Sequence, residues 1–122
     1  MIIKKCDKCG ALVRVLNDCS CDNCGIICCG DTMREIIPNS VDAAVEKHVP
    51  AYTVDGDVMN IEVNHVMDDD HFIEWVSVVS DNNEIIFKMK PGDTTKITHK
   101  YIPHSKIYAY CNLHGLWVKE VE

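Results

Sequence analysis

Seven of the eight cysteines in this 122-residue chain fall within residues 1–29, while all six histidines lie from His48 onward. Thiols and imidazoles are ligands for transition metals, so the division implies two regions, each organised round its own donor set. Charge divides along the same line. Five bases and five acids precede Ile37, seven bases and fourteen acids follow it, and the whole net charge of -7 therefore sits in the second region. That balance argues against a broad basic surface for nucleic acid or anionic lipid. With 47% hydrophobic and 25% charged residues, the composition is that of a folded chain rather than a disordered or low-complexity one.

Met1-Ile2-Ile3-Lys4-Lys5-Cys6 reaches a cysteine before any apolar run long enough for a secretory leader, and no later window resembles a membrane span. The expectation is a cytoplasmic protein without membrane or nucleic-acid partners. In a reducing compartment, cysteines at short spacing read as metal ligands before they read as a disulfide framework.

Residues 1–37 form a first domain with too few apolar positions for a self-sufficient core, Ala11 to Leu16 being its clearest strand. Pro38-Asn39-Ser40 marks a boundary, and residues 38–122 form the second domain. There, short β-rich runs alternate with turn signals: Met59 to Val63, Phe72 to Val79, Glu84 to Met89, Lys96 to Tyr101, Lys106 to Tyr110 and Leu116 to Val121. The pattern predicts an antiparallel β-sandwich, with Val41 to Lys47 as one helical turn before the first strand.

Cys6-Asp7-Lys8-Cys9-Gly10 is a metal knuckle: two thiolates two residues apart chelate one ion, and the glycine permits the turn that aims backbone N–H groups at sulfur. Its other half is ambiguous. Cys21-Asp22-Asn23-Cys24-Gly25 repeats the first knuckle, so Cys6, Cys9, Cys21 and Cys24 would make a zinc-ribbon set that spacing alone prefers. Cys28-Cys29 offers an adjacent, less usual pair. In the second region Cys111-Asn112-Leu113-His114-Gly115 places a thiolate and an imidazole at chelating spacing, and His65 and His71 flank a short acidic loop. With His48 they supply four imidazoles and one thiolate, a set suited to iron with one position open.

Over essentially its whole length the sequence resembles the desulfoferrodoxin family, the two-domain superoxide reductases. The matches are Glu46-Lys47-His48-Val49-Pro50, the His65 to His71 spacing followed by Phe72-Ile73-Glu74-Trp75, Cys111 to Gly115, Cys6 to Gly10, and Cys28-Cys29-Gly30-Asp31-Thr32-Met33. The resemblance implies a mostly β chain: a small desulforedoxin- or rubredoxin-like metal-knuckle domain, then an immunoglobulin-like antiparallel sandwich. It implies two iron ions per chain, one held by Cys6, Cys9, Cys28 and Cys29. The other would be held by His48, His65, His71 and His114 with Cys111 as axial thiolate. It further implies reduction of superoxide to hydrogen peroxide, an electron donor such as rubredoxin, and a homodimer through the N-terminal modules. Lys47 matches the family's functional lysine, which would steer superoxide against the domain's acidity. Glu46 matches the carboxylate that approaches the open position in the oxidised resting state.

Two departures stand out. Val66 follows His65 where many members carry proline, a change of loop stiffness rather than ligation. Cys19, Cys21 and Cys24 are additional: spare thiols, a disulfide pair with one left over, or replacement ligands. Trp75 and Trp117 read as core or site-wall aromatics, Asp68-Asp69-Asp70 as a solvated loop, and His99 and His104 as surface or turn residues. The competing reading is a zinc-stabilised binding module without turnover, or an electron-transfer protein.

Overall fold

The first strand was not among those read from the sequence, because its alternation is short and carries two lysines. The computed structural model describes residues 1–122 and divides into two units, Met1–Ile37 and Pro38–Glu122. The first contains β1 (Ile2–Lys5), β2 (Leu12–Val15), β3 (Ile27–Cys28), β4 (Asp31–Thr32) and β5 (Arg34–Glu35). β1 is central, flanked antiparallel by β2 and β5, and β3 and β4 form a separate hairpin. Its buried apolar side chains are Ile3, Cys6, Val15, Met33 and Ile36. So small a core, in a segment below the roughly 40 residues at which a chain sustains itself, needs a staple.

In the second unit a single 3-10 turn, Val45–Lys47, occupies the end of the stretch expected to be helical. The strands are β6 (Ala51–Asp55), β7 (Val58–Glu62), β8 (Ile73–Val79), β9 (Glu84–Lys88), β10 (Ile97–Lys100), β11 (Lys106–Cys111) and β12 (Gly115–Glu120). They pair antiparallel as two sheets, in the orders β10-β7-β6 and β12-β11-β8-β9. β7 shows why the sheets face each other: Met59 and Ile61 are buried while Val58, Asn60 and Glu62 are exposed, the period-two pattern of a half-buried strand. Met59, Ile61 and Val63 from one sheet meet Ile73, Val76, Val78, Ile107, Ala109 and Cys111 from the other in one apolar cluster. β6 was not read from the sequence. It is an edge strand with only Tyr52 partly buried, so it carries no clean alternation.

One irregularity positions the site. Ile107 pairs with Val78 and Ala109 with Val76, but between Tyr110 and Cys111 the register shifts, and Cys111 pairs with Ile73 instead of Glu74. Such a bulge reverses the parity of one strand. Ile73 thereby joins Val76 and Val78 on the core face, and Cys111 keeps a buried partner at the sheet's end. On the opposite face Trp75 stacks on Tyr110 with ring centroids 5.6 Å apart.

Removing the centre of this cluster should be costly. Ile107→Ala, at a fully buried position, should lower unfolding stability by about 2–5 kcal/mol in urea titration. Ile86→Ala, on the exposed side of β9, should change it by about 0.5 kcal/mol or less.

Candidate metal centres

The cysteine cluster of the first unit assembles from a knuckle and a hairpin. Cys6 leaves the end of β1, the Cys6 carbonyl accepts from Gly10 N–H at 2.9 Å, and Cys9 N–H points at Cys6 Sγ at 3.5 Å. Gly10 takes φ 80°, the left-handed conformation this turn requires. From the hairpin, Cys28 Sγ lies 3.6 Å from Cys9 Sγ and 4.0 Å from Cys29 Sγ. Adjacent cysteines share a site here because the β3–β4 loop is the two residues Cys29-Gly30, both at positive φ, 52° and 83°. The left-handed conformation costs a non-glycine residue about 1–2 kcal/mol. Lys8 ties knuckle to hairpin through the Cys29 carbonyl and the Asp31 carboxylate, each at 3.3 Å, and Arg34 grips Asp7 through Nε and a terminal nitrogen.

The thiol chemistry calls for a cation. Cys6, Cys9, Cys28 and Cys29 present sulfurs all within 4.8 Å of one another. Backbone N–H groups, that of Cys9 foremost, draw Cys6 down to about 7, whereas the Cys6 and Cys9 sulfurs push Cys28 up to about 12. Cys29 is raised as well, chiefly by Cys9. Four thiolates this close require a positive ion to hold them deprotonated. The rival ribbon set does not assemble: Cys24 is disulfide-bonded to Cys19, and Cys21 is a free, exposed thiol.

In the second unit His48 follows the 3-10 turn, His65 and His71 lie between β7 and β8, and Cys111 and His114 flank the β11–β12 turn. The four imidazoles close a ring: centroids are 4.8 Å apart for His48–His65, 4.6 Å for His65–His71, 5.1 Å for His71–His114 and 4.9 Å for His114–His48. Cys111 Sγ touches His65 Nε2 at 3.4 Å and His114 Nδ1 at 3.9 Å, and the five ligand atoms all lie within 4.8 Å of one another.

Backbone carbonyls orient the rings. His48 Nδ1–H donates to Ala44 O at 2.6 Å and His65 Nδ1–H to Val66 O at 2.5 Å, which leaves each Nε2 lone pair free for the site. His71 Nε2 is buried without a hydrogen-bond partner, the state expected of a nitrogen whose partner is an ion. His48 Nε2 and His114 Nδ1 stand 3.0 Å apart, matching about 3.0 Å for ligands at right angles on metal–nitrogen bonds of about 2.1 Å. Burial lowers His65 and His114, against the Val66 carbonyl at His65 and with repulsion from the neighbouring rings at both, which favours the neutral form that donates a lone pair. Burial raises Cys111, opposed by the backbone N–H groups of Leu113 and His114 directed at its sulfur. Four imidazoles and one thiol fit a transition metal such as iron.

Glu46 and Lys47 belong to the 3-10 turn immediately before His48, and both side chains are exposed. Asp68, Asp69 and Asp70 are exposed in the loop between His65 and His71. His99 lies on β10 and His104 in an exposed turn, outside both ligand groups. Trp117 walls the site by stacking on His48 at 4.9 Å, and its indole N–H donates to His114 O at 3.1 Å. Asn112 was not singled out by sequence reasoning, although it lies inside the Cys111–Gly115 motif. Its side-chain oxygen accepts from Phe72 N–H and its amide donates to Asp70 O, both at 2.9 Å, pinning the His71 loop to the turn that carries His114.

A family model described as Desulfoferrodoxin matches residues 40–120. The desulfoferrodoxin of Syntrophotalea carbinolica is 37% identical over 122 residues, spanning 97% of this chain and 94% of that protein. The superoxide reductase of Pyrococcus abyssi is 30% identical over 100 residues, spanning 63% of this chain and 87% of that protein. Among solved structures, the superoxide reductase from Treponema pallidum matches with a TM-score of 0.69 at 23% identity, covering 96% of this chain and 98% of that one, a likeness of fold.

Two substitutions separate the cysteine sets. Cys28→Ser should abolish metal retention by the first unit, measured as metal content and thiolate-to-metal absorption, whereas Cys21→Ser should leave both unchanged.

Proposed function

The chain belongs to the desulfoferrodoxin family, and on that premise we propose that it is a superoxide reductase with one iron in each ligand cluster. The observation that carries this reading is the closed ring of four imidazoles set against a buried cysteine. The net reaction is superoxide plus one electron and two protons giving hydrogen peroxide. Bound in the histidine cluster, iron would supply the single-electron chemistry, passing one electron to superoxide and recovering one from an external donor. The name of the Pyrococcus abyssi relative points to the same reaction.

The chain's own residues would divide the work as follows. His48, His65, His71, His114 and Cys111 would hold the ion, and the buried Cys111 thiolate would donate negative charge to it. Fixing Nδ1 of His48 and His65 on carbonyls keeps the rings from rotating as charge changes at the centre. Lys47 would draw the anion in against a domain carrying fourteen acids to seven bases, and would stabilise negative charge developing on the substrate oxygen. Glu46, on the same turn, would offer a hard carboxylate oxygen to the oxidised ion. Water would deliver the protons. The assignment extends to a small donor such as rubredoxin, a cytoplasmic location and a homodimer. No helix of the chain is long and apolar enough to cross a membrane.

Iron-loaded protein, given an electron donor and exposed to a superoxide pulse, should form one hydrogen peroxide per superoxide without releasing oxygen. Lys47→Ala should slow capture about tenfold or more while leaving the visible spectrum intact. Stoichiometric zinc in both clusters after iron-replete expression, with superoxide surviving, would instead indicate a non-catalytic module.

A further inference from the structure

The three cysteines left outside both clusters occupy one loop. Between β2 and β3 the chain is exposed from Leu16 to Gly25, with Leu16 itself 82% exposed. Cys19 and Cys24 are joined by a disulfide with Cα atoms 6.2 Å apart, and Cys21 between them is a free, exposed thiol. This link does little for the fold, since it connects residues only five apart in sequence and crosses no two strands.

Contacts that do not involve the disulfide hold both ends of the loop. At the near end Asp18 accepts from Lys4 Nζ of β1 at 3.1 Å and from Cys19 N–H at 2.9 Å. At the far end Met33 N–H donates to Ile26 O at 2.7 Å, and a Cβ on Gly25 would come within 3.0 Å of the Thr32 methyl, so the backbone there is packed close against the hairpin. If the bond opens, its two sulfurs stay near each other. An exposed disulfide whose partners remain in place after cleavage is suited to reversible use, because exchange requires access for an attacking thiolate and closure requires proximity.

We propose that Cys19 and Cys24 form a redox-active thiol–disulfide pair, opened by an external dithiol and closed by hydrogen peroxide. In the opening direction one thiolate of the dithiol attacks a loop sulfur, breaking the Cys19–Cys24 bond and forming a mixed disulfide. The second thiol then releases the reductant as its own disulfide and leaves two thiols on the protein. In closing, one loop thiolate attacks a peroxide oxygen, breaking the O–O bond to give a sulfenic acid and hydroxide. The second thiol displaces the sulfenic oxygen as water and the S–S bond re-forms. One peroxide is reduced by two electrons, and two thiols are oxidised. The pair functions whether or not the second unit reduces superoxide, although a reductase would supply the peroxide as its product.

The test uses the whole metal-loaded chain and added hydrogen peroxide, so its result is independent of the reductase reading. Thiols are blocked with iodoacetamide without unfolding the protein, and the tryptic segment Val15–Arg34, which contains Cys19, Cys21 and Cys24 together with Cys28 and Cys29, is fragmented in the mass spectrometer so that the label is placed on each cysteine. Before reduction only Cys21 of the three should label. After dithiothreitol all three should, and one equivalent of peroxide should remove the label from Cys19 and Cys24 again while metal content stays constant. Cys21→Ser should preserve the cycle. Cys19→Ser should abolish closure and leave a sulfenic acid on Cys24 that dimedone captures. A bond that resists dithiothreitol in the folded protein would overturn the proposal. So would peroxide that leaves all three thiols labelled, or a reduced loop holding an extra metal equivalent that Cys21→Ser loses.

Discussion

The pairing of β8 with β11 is the constraint on which the second unit depends. Both strands are central in their sheet, and every strand of that sheet hangs on one or the other. Their inward side chains, Val76, Val78, Ile107 and Ala109, form the middle of the apolar cluster. The break in their register at Cys111 converts the end of a regular sheet into the corner where the four imidazoles and the cysteine meet. Without the parity change at Glu74, Ile73 would face away from the core and the chain leading back to His71 would leave on the wrong side. Packing and ligation are therefore solved by the same residues.

The two donor clusters meet their electrostatic demands differently. In the first unit Cys9 and Cys29 are exposed, backbone N–H groups draw Cys6 down, and the neighbouring sulfurs push Cys28 up, a repulsion that a cation would relieve. In the second, burial lowers His65 and His114 and raises Cys111, favouring the uncharged form of each. Loading either cluster releases protons from sulfur, so retention of metal by both weakens as the solution becomes acidic.

Much of the candidate chemistry was legible in the sequence because it is local. Cys6 to Cys9 and Cys111 to His114 are chelating spacings whatever the fold, and the glycine after each marks the turn that makes chelation possible. What separated Cys28 and Cys29 from Cys21 and Cys24 was not local. Spacing favoured the second knuckle, and the decision rests on Cys29 accepting a left-handed backbone so that two neighbouring sulfurs converge. The strands follow the same logic. β7 declared itself through burial on one face and β8 through a dense apolar run, whereas β1 and β6, short or at an edge, had too little buried surface to leave a pattern. A bulge depends on which residue of the partner strand is skipped, and a single strand's sequence does not contain that information. Asn112 was missed for a related reason, since its two partners are 40 and 42 residues away.

Asn39 exchanges hydrogen bonds with Val118 and donates its backbone N–H to Leu116, laying the segment that leads to His48 along β12. The first histidine to be synthesised therefore finds its place only after the last strand has emerged. By contrast, the ligands of the first unit are complete once Cys29 has been made. On the ribosome the two clusters must assemble in sequence, the four cysteines while most of the chain is still absent and the histidine ring only at the end of translation. A nascent chain halted before β12 would carry one assembled cysteine cluster and four cluster histidines, His48, His65, His71 and His114, without a home.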